Sequence, residues 1–247
     1  MIRLTLNRLA RRLWPGLWPS AAAAAAGVGL LAGLHSYGLA EEASRRLPEA
    51  ALQAMEPTDG LRTATLAGGC FWGVQGVFEH VRGVKQAVSG YAGGSRETAT
   101  YETVSSGQTD HAEAVRISYD PVVIRYDQLL QIFFSVALDP TQVNRQGPDT
   151  GPQYRSAIFP SDAEQAGVAE AYIAQLEAAK LYPQPIATKI ERDAVFYPAE
   201  DYHQDFMALH PRHLYIVAND APKLRDLQRL FPERATSKPV LVDRPPS

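Results

Sequence analysis

The single cysteine of the 247-residue chain, Cys70, follows Gly68 and Gly69 at the start of a predicted helix. The first turn of a helix has unpaired backbone N–H groups and the positive end of the helix dipole, and both favour an anion. This position therefore predicts a thiol of lowered pKa and a reactive thiolate. The glycines would let a substrate approach the backbone closely. A free cysteine is also often a small buried hydrophobe, so the turn alone leaves a nucleophile and an inert thiol open.

A carboxyl group is the second candidate for chemistry. Residues 112–119 alternate in the way that predicts a strand, and Glu113 then shares its face with Val115 and Ile117. Burial on an apolar face raises the pKa of a carboxyl, which keeps it protonated near neutral pH and able to act as a general acid. The alternative is a structural carboxylate paired with an arginine.

A histidine on the same predicted strand face allows a different chemistry. His111 lies two residues before Glu113 and could serve as the base for Cys70 in a cysteine hydrolase. That hypothesis predicts an acyl-enzyme and a requirement for His111. A non-enzymatic module with a buried, inert Cys70 is the remaining alternative.

The elements that must position these side chains mix helices and strands without strict alternation. This pattern favours an α+β fold, a two-layer sandwich with a mixed central sheet of ferredoxin-like type. Predicted strands cover residues 62–66, 84–89, 112–119, 156–159 and 186–191, and predicted helices cover 71–83, 126–138 and 161–181. A capping box of Ser161 and Glu164 marks the start of the last helix, and residues 144–154 form an irregular loop.

The domain organisation follows from composition. Residues 1–40 are predicted to be a signal peptide or membrane-targeting leader, because four arginines without an acid precede a 14-residue apolar run and a small-residue exit. Export to the periplasm or outside the cell is expected, with an uncleaved membrane tether or an organellar transit peptide as alternatives. Residues 41–60 are predicted to be a linker, 61–234 the catalytic domain and 235–247 a proline-containing tail.

The charge of the body excludes some partners. The leader holds four of the 24 basic residues, so the remainder carries 20 basic against 27 acidic side chains, a net charge of −7. Because phosphate binding needs clustered lysine and arginine, nucleic acid is not expected as a partner. The histidines lack ligand-like spacing, so no metal site is predicted.

Several sequence blocks together resemble one enzyme family. The blocks, in chain order, are Gly69-Cys70-Phe71-Trp72-Gly73, Gly90-Tyr91-Ala92-Gly93-Gly94, Thr100-Tyr101, Gly107 with His111-Ala112-Glu113, Tyr119-Asp120-Pro121, Arg145-Gln146-Gly147, Gln153-Tyr154-Arg155-Ser156 and the run from Tyr197 to Gln204. They are similar to the signature blocks of the A-type peptide methionine sulfoxide reductases, in family order. The resemblance covers nearly all of the body, and the family fold is of the α+β class predicted above.

The resemblance implies roles for four side chains. Cys70 would attack the sulfoxide sulfur, release methionine and remain as a sulfenic acid. Glu113 would protonate the departing oxygen, and the hydroxyls of Tyr101 and Tyr154 would hydrogen-bond that oxygen as its charge develops. Taken alone, either tyrosine reads as a half-buried core residue.

Three further residues match substrate-binding positions of the family. Phe71 and Trp72 would form the apolar wall around the substrate methyl group, although aromatic residues at the start of a helix also suit a core. Asp149 would help to hold water near the site. Leu138 and Pro152 replace a histidine and a threonine that are common in the family, so the wall near Asp149 is expected to differ in shape.

The resemblance also implies the partners. Many members carry further cysteines that convert the sulfenic acid into a disulfide, and this chain has none. An external thiol must therefore attack the sulfenic acid: thioredoxin, glutaredoxin with glutathione, or dithiothreitol in the test tube. The expected substrates are the S epimers of methionine sulfoxide in oxidised proteins and peptides, and the free amino acid. No bound cofactor is expected, and the chain is expected to be a monomer.

Overall fold

The structure, a computed structural model, describes residues 44–55 and 59–243. The leader predicted at residues 1–40 and the end of the predicted tail lie outside these residues. Within the two described ranges, no helix combines the length and apolar character needed to cross a bilayer.

A six-stranded sheet forms the centre of the described body. In chain order the elements are β1 Arg62–Gly68, α1 Phe71–Glu79, β2 Val84–Ala92, α2 Tyr101–Ser105, β3 Ala112–Tyr119, α3 Tyr126–Ile132, β4 Arg145–Gln146, β5 Asp149–Thr150, β6 Ser156–Phe159, α4 Ala163–Ala178, β7 Lys189–Ile190, β8 Phe196–Pro198, α5 Phe206–Leu209 and α6 Ala221–Leu230. The strand order is β7-β6-β1-β3-β2-β8. Only β6 and β7 pair in parallel among these strands, so the sheet is mixed and the predicted α+β class is confirmed.

The strand register brings distant residues to one end of the sheet. β1 runs antiparallel to β3, with Leu66 opposite Val115, so the turn that follows Gly68 lies beside the start of β3. On β2, Tyr91 pairs directly with Glu113. Gly68 pairs with Ser156 at the start of β6. The segments around Cys70, Glu113 and Tyr154 therefore converge because of backbone pairing alone.

The two faces of the sheet bury different side chains. Val115 and Ile117 point into the main core beneath α1, α3 and α4, whereas Ala112 and Ala114 belong to a small alanine-rich cluster on the other face. The alternation along β3 is therefore as the sequence predicts, and Glu113 lies on the side of the main core.

The described part of the predicted linker is packed against the body. Residues 44–55 form an extended segment that buries Leu47, Ala50 and Ala54 in the main core. Side chains of α3 and α4 satisfy its backbone: Asp127 accepts from the Ala54 N–H at 3.0 Å, and the Tyr172 hydroxyl donates to the Pro48 carbonyl at 2.8 Å. Burial of these small apolar residues and the hydrogen bonds to α3 and α4 hold the segment against the domain. Its composition had instead suggested a solvent-exposed linker.

Several predicted boundaries differ from the structure. The helix predicted at 126–138 is α3 followed by a wider π-helical turn, Phe133–Ala137. The capping pair of α4 is displaced by one residue, since Asp162 accepts from the Gln165 N–H at 2.8 Å and the Gln165 side chain accepts from the Ser161 N–H. The strand predicted at 186–191 is shortened to Lys189–Ile190. The residues at which helices and strands begin and end depend on side-chain hydrogen bonds, and the spacing of apolar residues does not predict these bonds.

Candidate active site

Cys70 is the N-cap residue of α1 and lies in a turn that requires glycine. Gly69 has φ +87°, and a Cβ there would lie 2.4 Å from the side chain of Gln146. A larger residue would be strained both by its backbone and by this contact. The turn therefore fixes the Cys70 sulfur at the start of the helix, as the sequence predicts.

The predicted lowering of the thiol pKa is wrong for this environment. Burial raises the pKa of the Cys70 thiol well above its usual range, and the carboxyl groups of Glu113, Asp220 and Asp149 raise it further. The Trp72 N–H of the first helical turn acts in the opposite direction and lowers the pKa of Cys70. Because 9% of Cys70 is exposed, desolvation outweighs the helix terminus. The resting enzyme holds a protonated thiol at neutral pH.

Glu113 has the environment that the sequence predicts for a general acid. It is 2% exposed, and its Oε2 accepts a hydrogen bond of 3.0 Å from the Phe71 N–H. Burial raises the pKa of Glu113 to about 8, the Phe71 N–H acts to lower it, and the charge of Asp149 raises it. The carboxyl group therefore carries a proton at neutral pH and is connected to the residue after Cys70. The contact that orients it is a backbone amide, and the expected raised pKa is confirmed.

Tyr101 is the first residue of α2 and is oriented by a glutamate that the sequence analysis missed. The Tyr101 N–H donates to Glu200 Oε1 at 2.9 Å, and the hydroxyl of buried Tyr91 donates to Glu200 Oε2 at 2.8 Å. Glu200 therefore links α2 to β2, where Tyr91 pairs with Glu113. Burial, followed by the charges of Glu113 and Cys70, raises the pKa of the Tyr101 hydroxyl, so that hydroxyl remains a hydrogen-bond donor.

Tyr154 ends a short 3₁₀ turn and is held by the arginine that follows it. The Arg155 guanidinium makes two bonds of 2.8 Å to the carboxylate of Glu191 and donates to the carbonyls of Asp110 and Pro152 at 2.8 and 3.1 Å. This clamp ties the Tyr154 turn to the segment that leads into β3. Burial raises the pKa of the Tyr154 hydroxyl, and the charge of Glu113 raises it further.

Trp72 and Phe71 differ in their exposure to solvent. Phe71 is buried in the main core, with its ring 5.0 Å from the imidazole of His203. Trp72 is partly exposed and stacks on Phe206 with ring centroids 3.8 Å apart and planes 9° apart. The Trp72 Nε1 donates to His203 Nδ1 at 3.2 Å. His203 thus has a structural explanation that the sequence did not provide: it orients the indole.

Asp149 is brought to the site by a tyrosine that the sequence analysis also missed. The Tyr215 hydroxyl donates to Asp149 Oδ2, and the Tyr215 ring meets the Trp72 ring edge-on at 5.8 Å. Asp149 contributes to the raised pKa of both Cys70 and Glu113, which places its charge within reach of both groups.

His111 is occupied by other contacts. One ring nitrogen bonds the Ser95 carbonyl at 2.8 Å, and the other accepts from the Gly94 N–H at 3.3 Å. Both nitrogens are engaged, so His111 is not available as the base of a cysteine hydrolase. His111 instead supports the segment of Gly94 and Ser95 through these two hydrogen bonds.

The residues that sequence reasoning missed lie mostly beyond position 197. Glu200, Phe206, Tyr215 and Asp220 surround the predicted residues, and Asp220 is fully buried. The density of aromatic and histidine residues between 196 and 215 was the available signal. Among the described residues, no group of histidine, cysteine and acidic side chains is arranged to hold a metal ion.

Comparisons with known proteins agree with this geometry. The model of the family described as peptide methionine sulfoxide reductase matches residues 62–235. Peptide methionine sulfoxide reductase MsrA 2 of Mesorhizobium japonicum is 60% identical over 183 residues, which cover 74% of this chain and 94% of that protein. MsrA of Thermus thermophilus is 51% identical over 168 residues, with 68% and 94% covered.

Solved structures show the same similarity. Mxr1 of Saccharomyces cerevisiae in its reduced form aligns with a TM-score of 0.55 and 32% identity, covering 65% of this chain and 91% of that one. Methionine sulfoxide reductase A of Corynebacterium diphtheriae aligns with a TM-score of 0.53 and 30% identity, covering 68% and 92%. With its cysteine turn, its protonated glutamate and these matches, the chain belongs to the peptide methionine sulfoxide reductase family.

Proposed function

We propose that this enzyme reduces the S epimer of methionine sulfoxide with Cys70 as its only thiol, and that an external thiol completes each cycle. The observation that carries this proposal is the position of Glu113, which is protonated and accepts a hydrogen bond from the N–H of Phe71, the residue after Cys70. The enzyme is a peptide-methionine (S)-S-oxide reductase, and its reaction repairs oxidised proteins.

In the first half of the cycle, the Cys70 sulfur attacks the electrophilic sulfur of the sulfoxide. Glu113 supplies a proton to the sulfoxide oxygen as the sulfur–oxygen bond weakens. The oxygen ends on Cys70 as a sulfenic acid, the substrate sulfur gains two electrons, and methionine leaves. The thiol proton replaces the proton lost by Glu113, so the numbers of atoms and protons balance.

The high pKa of the resting thiol fits this sequence of steps. Cys70 and Glu113 hold one proton each at neutral pH. When the substrate takes the proton of Glu113, the carboxylate left behind can accept the thiol proton of Cys70, so the sulfur becomes nucleophilic only with a substrate in place. Nonspecific oxidation is slow because the thiolate, and not the thiol, is the nucleophile.

The remaining site residues hold the substrate. The hydroxyls of Tyr101 and Tyr154 donate to the sulfoxide oxygen, and the indole of Trp72 packs on the methyl group. The stack of Trp72 on Phe206 and the bond to His203 fix the plane of this indole. Phe71 supports the wall from within the core, and Asp149 holds water beside the site.

The second half of the cycle needs a thiol from another molecule, because Cys70 is the only cysteine of the chain. A thioredoxin-like protein is the proposed partner, with glutaredoxin and glutathione as the other candidates, and dithiothreitol serves as reductant in vitro. The enzyme is also proposed to act as a monomer.

Two assays test the reaction. The enzyme is incubated with each epimer of a peptide methionine sulfoxide and dithiothreitol, and methionine release is followed together with the mass of the Cys70 peptide. Turnover of the S epimer, and a gain of one oxygen at Cys70 when the thiol is withheld, are expected. Activity that persists in Cys70→Ser, or release of methionine from the R epimer at the same rate, would contradict the proposal. His111→Ala is the matched control that distinguishes a hydrolase, and it should retain most of the turnover.

We also propose that residues 1–40 export the enzyme. The full chain would be expressed in a bacterium that has a periplasm, and the fractions would be analysed by the mass of the enzyme's N-terminal peptide. A periplasmic protein that begins at Glu41 is expected, because the small-residue exit ends at Ala40. An intact leader on a soluble cytoplasmic protein would refute export.

A further inference from the structure

A buried ion pair occupies a notch in the first turn of α1. Gly73 lies three residues after Cys70, and a Cβ at Gly73 would lie 2.1 Å from Asp220 Oδ1 and 2.9 Å from Lys223 Nζ. The absence of a side chain at Gly73 is therefore what admits the carboxylate and the ammonium. These two groups approach each other at 3.4 Å.

The carboxylate of this pair has unused hydrogen-bonding capacity. Asp220 is 0% exposed, whereas 22% of the Lys223 side chain reaches solvent. Beyond the ion pair, neither carboxylate oxygen of Asp220 receives a hydrogen bond from the parts of the chain that the structure describes. Buried carboxylates usually accept several hydrogen bonds. Among the described residues, the ion pair with Lys223 is therefore the only polar contact of this buried carboxylate, which lies at the helix turn that follows Cys70.

The charge of Asp220 also acts on groups of the candidate active site. Its charge raises the pKa of the Cys70 thiol and of the Tyr215 hydroxyl. Burial raises the pKa of Asp220 itself, and Lys223 acts to lower it. A carboxylate whose pKa is raised is a stronger base.

From this juxtaposition we infer that Asp220 accepts the thiol proton of the external reductant when that thiol attacks the Cys70 sulfenic acid. The inference rests on the one-cysteine cycle proposed above. A chain with no resolving cysteine must take up a neutral thiol from solution, and a neutral thiol must lose its proton to become a nucleophile.

The step balances with groups that are present. The reductant sulfur bonds to the Cys70 sulfur, its proton moves to Asp220, and the sulfur–oxygen bond of the sulfenic acid breaks. Glu113 supplies the proton with which the hydroxide leaves as water. The products are a mixed disulfide, a neutral Asp220 and an ionised Glu113, and solvent returns one proton from the first carboxyl to the second. A second reductant thiol then releases Cys70.

The other two carboxyl groups near Cys70 are unsuited to this task. Glu113 holds a proton at neutral pH and has to donate it. Asp149 already accepts the hydroxyl of Tyr215. Asp220 is the acidic group of the three whose carboxylate oxygens have no hydrogen-bond donor besides the paired Lys223 among the described residues, and 22% of the Lys223 side chain reaches solvent.

The test separates the two halves of the cycle in Asp220→Asn. The sulfenic acid is first formed with one equivalent of sulfoxide, and methionine release is recorded. It is then mixed with dithiothreitol or with thionitrobenzoate, a thiol that is already ionised at neutral pH. The fraction of sulfenic acid left is measured by trapping with dimedone.

We expect opposite effects on the two halves. Methionine release should be faster, because the substitution removes a negative charge that disfavours the Cys70 thiolate. Reaction of the sulfenic acid with dithiothreitol should slow about 100-fold, the usual contribution of a general base. The reaction with thionitrobenzoate should not slow, since it brings no proton. Equal slowing with both thiols, or no slowing with dithiothreitol, would overturn the inference.

Asp226→Asn is the matched control. Asp226 lies on α6, of which Asp220 is the N-cap residue, and also pairs with a cation three residues later, Arg229, but both partners of that pair are partly exposed. Its substitution should leave both thiol reactions at the parent rate. A slowdown like that of Asp220→Asn would assign the effect to α6 as a whole and overturn the inference.

The parent enzyme supplies a second measurement that does not depend on how the variants fold. Below the titration of Glu113 at about pH 8, the dithiothreitol rate should rise less steeply with pH than the thiolate fraction of the reductant, because Asp220 removes the proton. Without a base, the rate would follow the thiolate fraction of the reductant and rise about tenfold per pH unit. That rise in the parent would overturn the inference, whereas failure to release methionine would instead refute the proposed function.

Discussion

Replacing Glu113 by glutamine should make the protein more stable while it abolishes catalysis. In the native state the pKa of Glu113 is about 8, compared with 4.5 for an exposed glutamate. Folding near neutral pH therefore requires the carboxylate of the unfolded chain to take up a proton. Glutamine avoids this cost, and its side-chain oxygen can still accept the Phe71 N–H bond, which is 3.0 Å long in the parent.

The size of the effect follows from linkage. Each pH unit between the two pKa values is worth about 1.4 kcal/mol, so Glu113 destabilises the parent by about 3 kcal/mol at pH 7. Because its native pKa is raised, the parent is least affected below about pH 4.5 and loses stability as the pH rises through about 8. The advantage of the variant should be under about 1 kcal/mol at pH 5 and about 4.5 kcal/mol at pH 8.5. At pH 7 the midpoint of thermal unfolding should rise by roughly 6–12 °C.

Urea unfolding at the three pH values gives the free energy of unfolding of parent and variant. The difference between the two cancels other titrating groups that they share, including buried Glu79. Glu177→Gln, on an exposed position of α4, shows the background of the substitution, which should stay within about 0.5 kcal/mol. A stability difference that does not grow with pH would refute the protonated carboxyl. Methionine release should meanwhile fall by about 10²–10⁴-fold.

Three other substitutions test separate features. Leu47→Ala should lower the free energy of unfolding by about 2–3 kcal/mol in urea, whereas Leu52→Ala, on the exposed side of the same segment, should change it little. Tyr215→Phe removes the donor to Asp149 and should lower kcat about tenfold, about 1.4 kcal/mol, in steady-state assays of methionine release. Phe206→Leu removes the ring stacked on the indole and should raise KM several-fold with a smaller change in kcat, measured with the S-sulfoxide peptide.

The parts of the fold that rest on local patterns could be predicted from the sequence. The alternation along β3 placed Glu113 on the core face, and the glycines before Cys70 marked the turn into α1. Both depend on neighbours within a few residues. The raised pKa of Glu113 followed from the same pattern, because burial alone is enough to produce it.

The thiol pKa could not be predicted in the same way. A helix terminus lowers it, but the three carboxyl groups that oppose this effect come from positions 113, 149 and 220. Their proximity to Cys70 depends on strand register and on how α6 packs, and neither is encoded near Cys70. The positions of Tyr215 and Asp220 at the site could not be predicted for the same reason, since each contacts the site only through tertiary packing.

The docked segment 44–55 also constrains the order in which the chain can fold. It is synthesised before the side chains that hold it, and its bonds to Ser135 and Gln175 span 88 and 124 residues. Contacts of such long sequence separation form late, because a large loop must be closed first. The segment must therefore wait until α4 has been made, and during synthesis Leu47 and its neighbours remain open to chaperones and proteases. The first part of the domain to leave the ribosome is thus among the last to reach its native position.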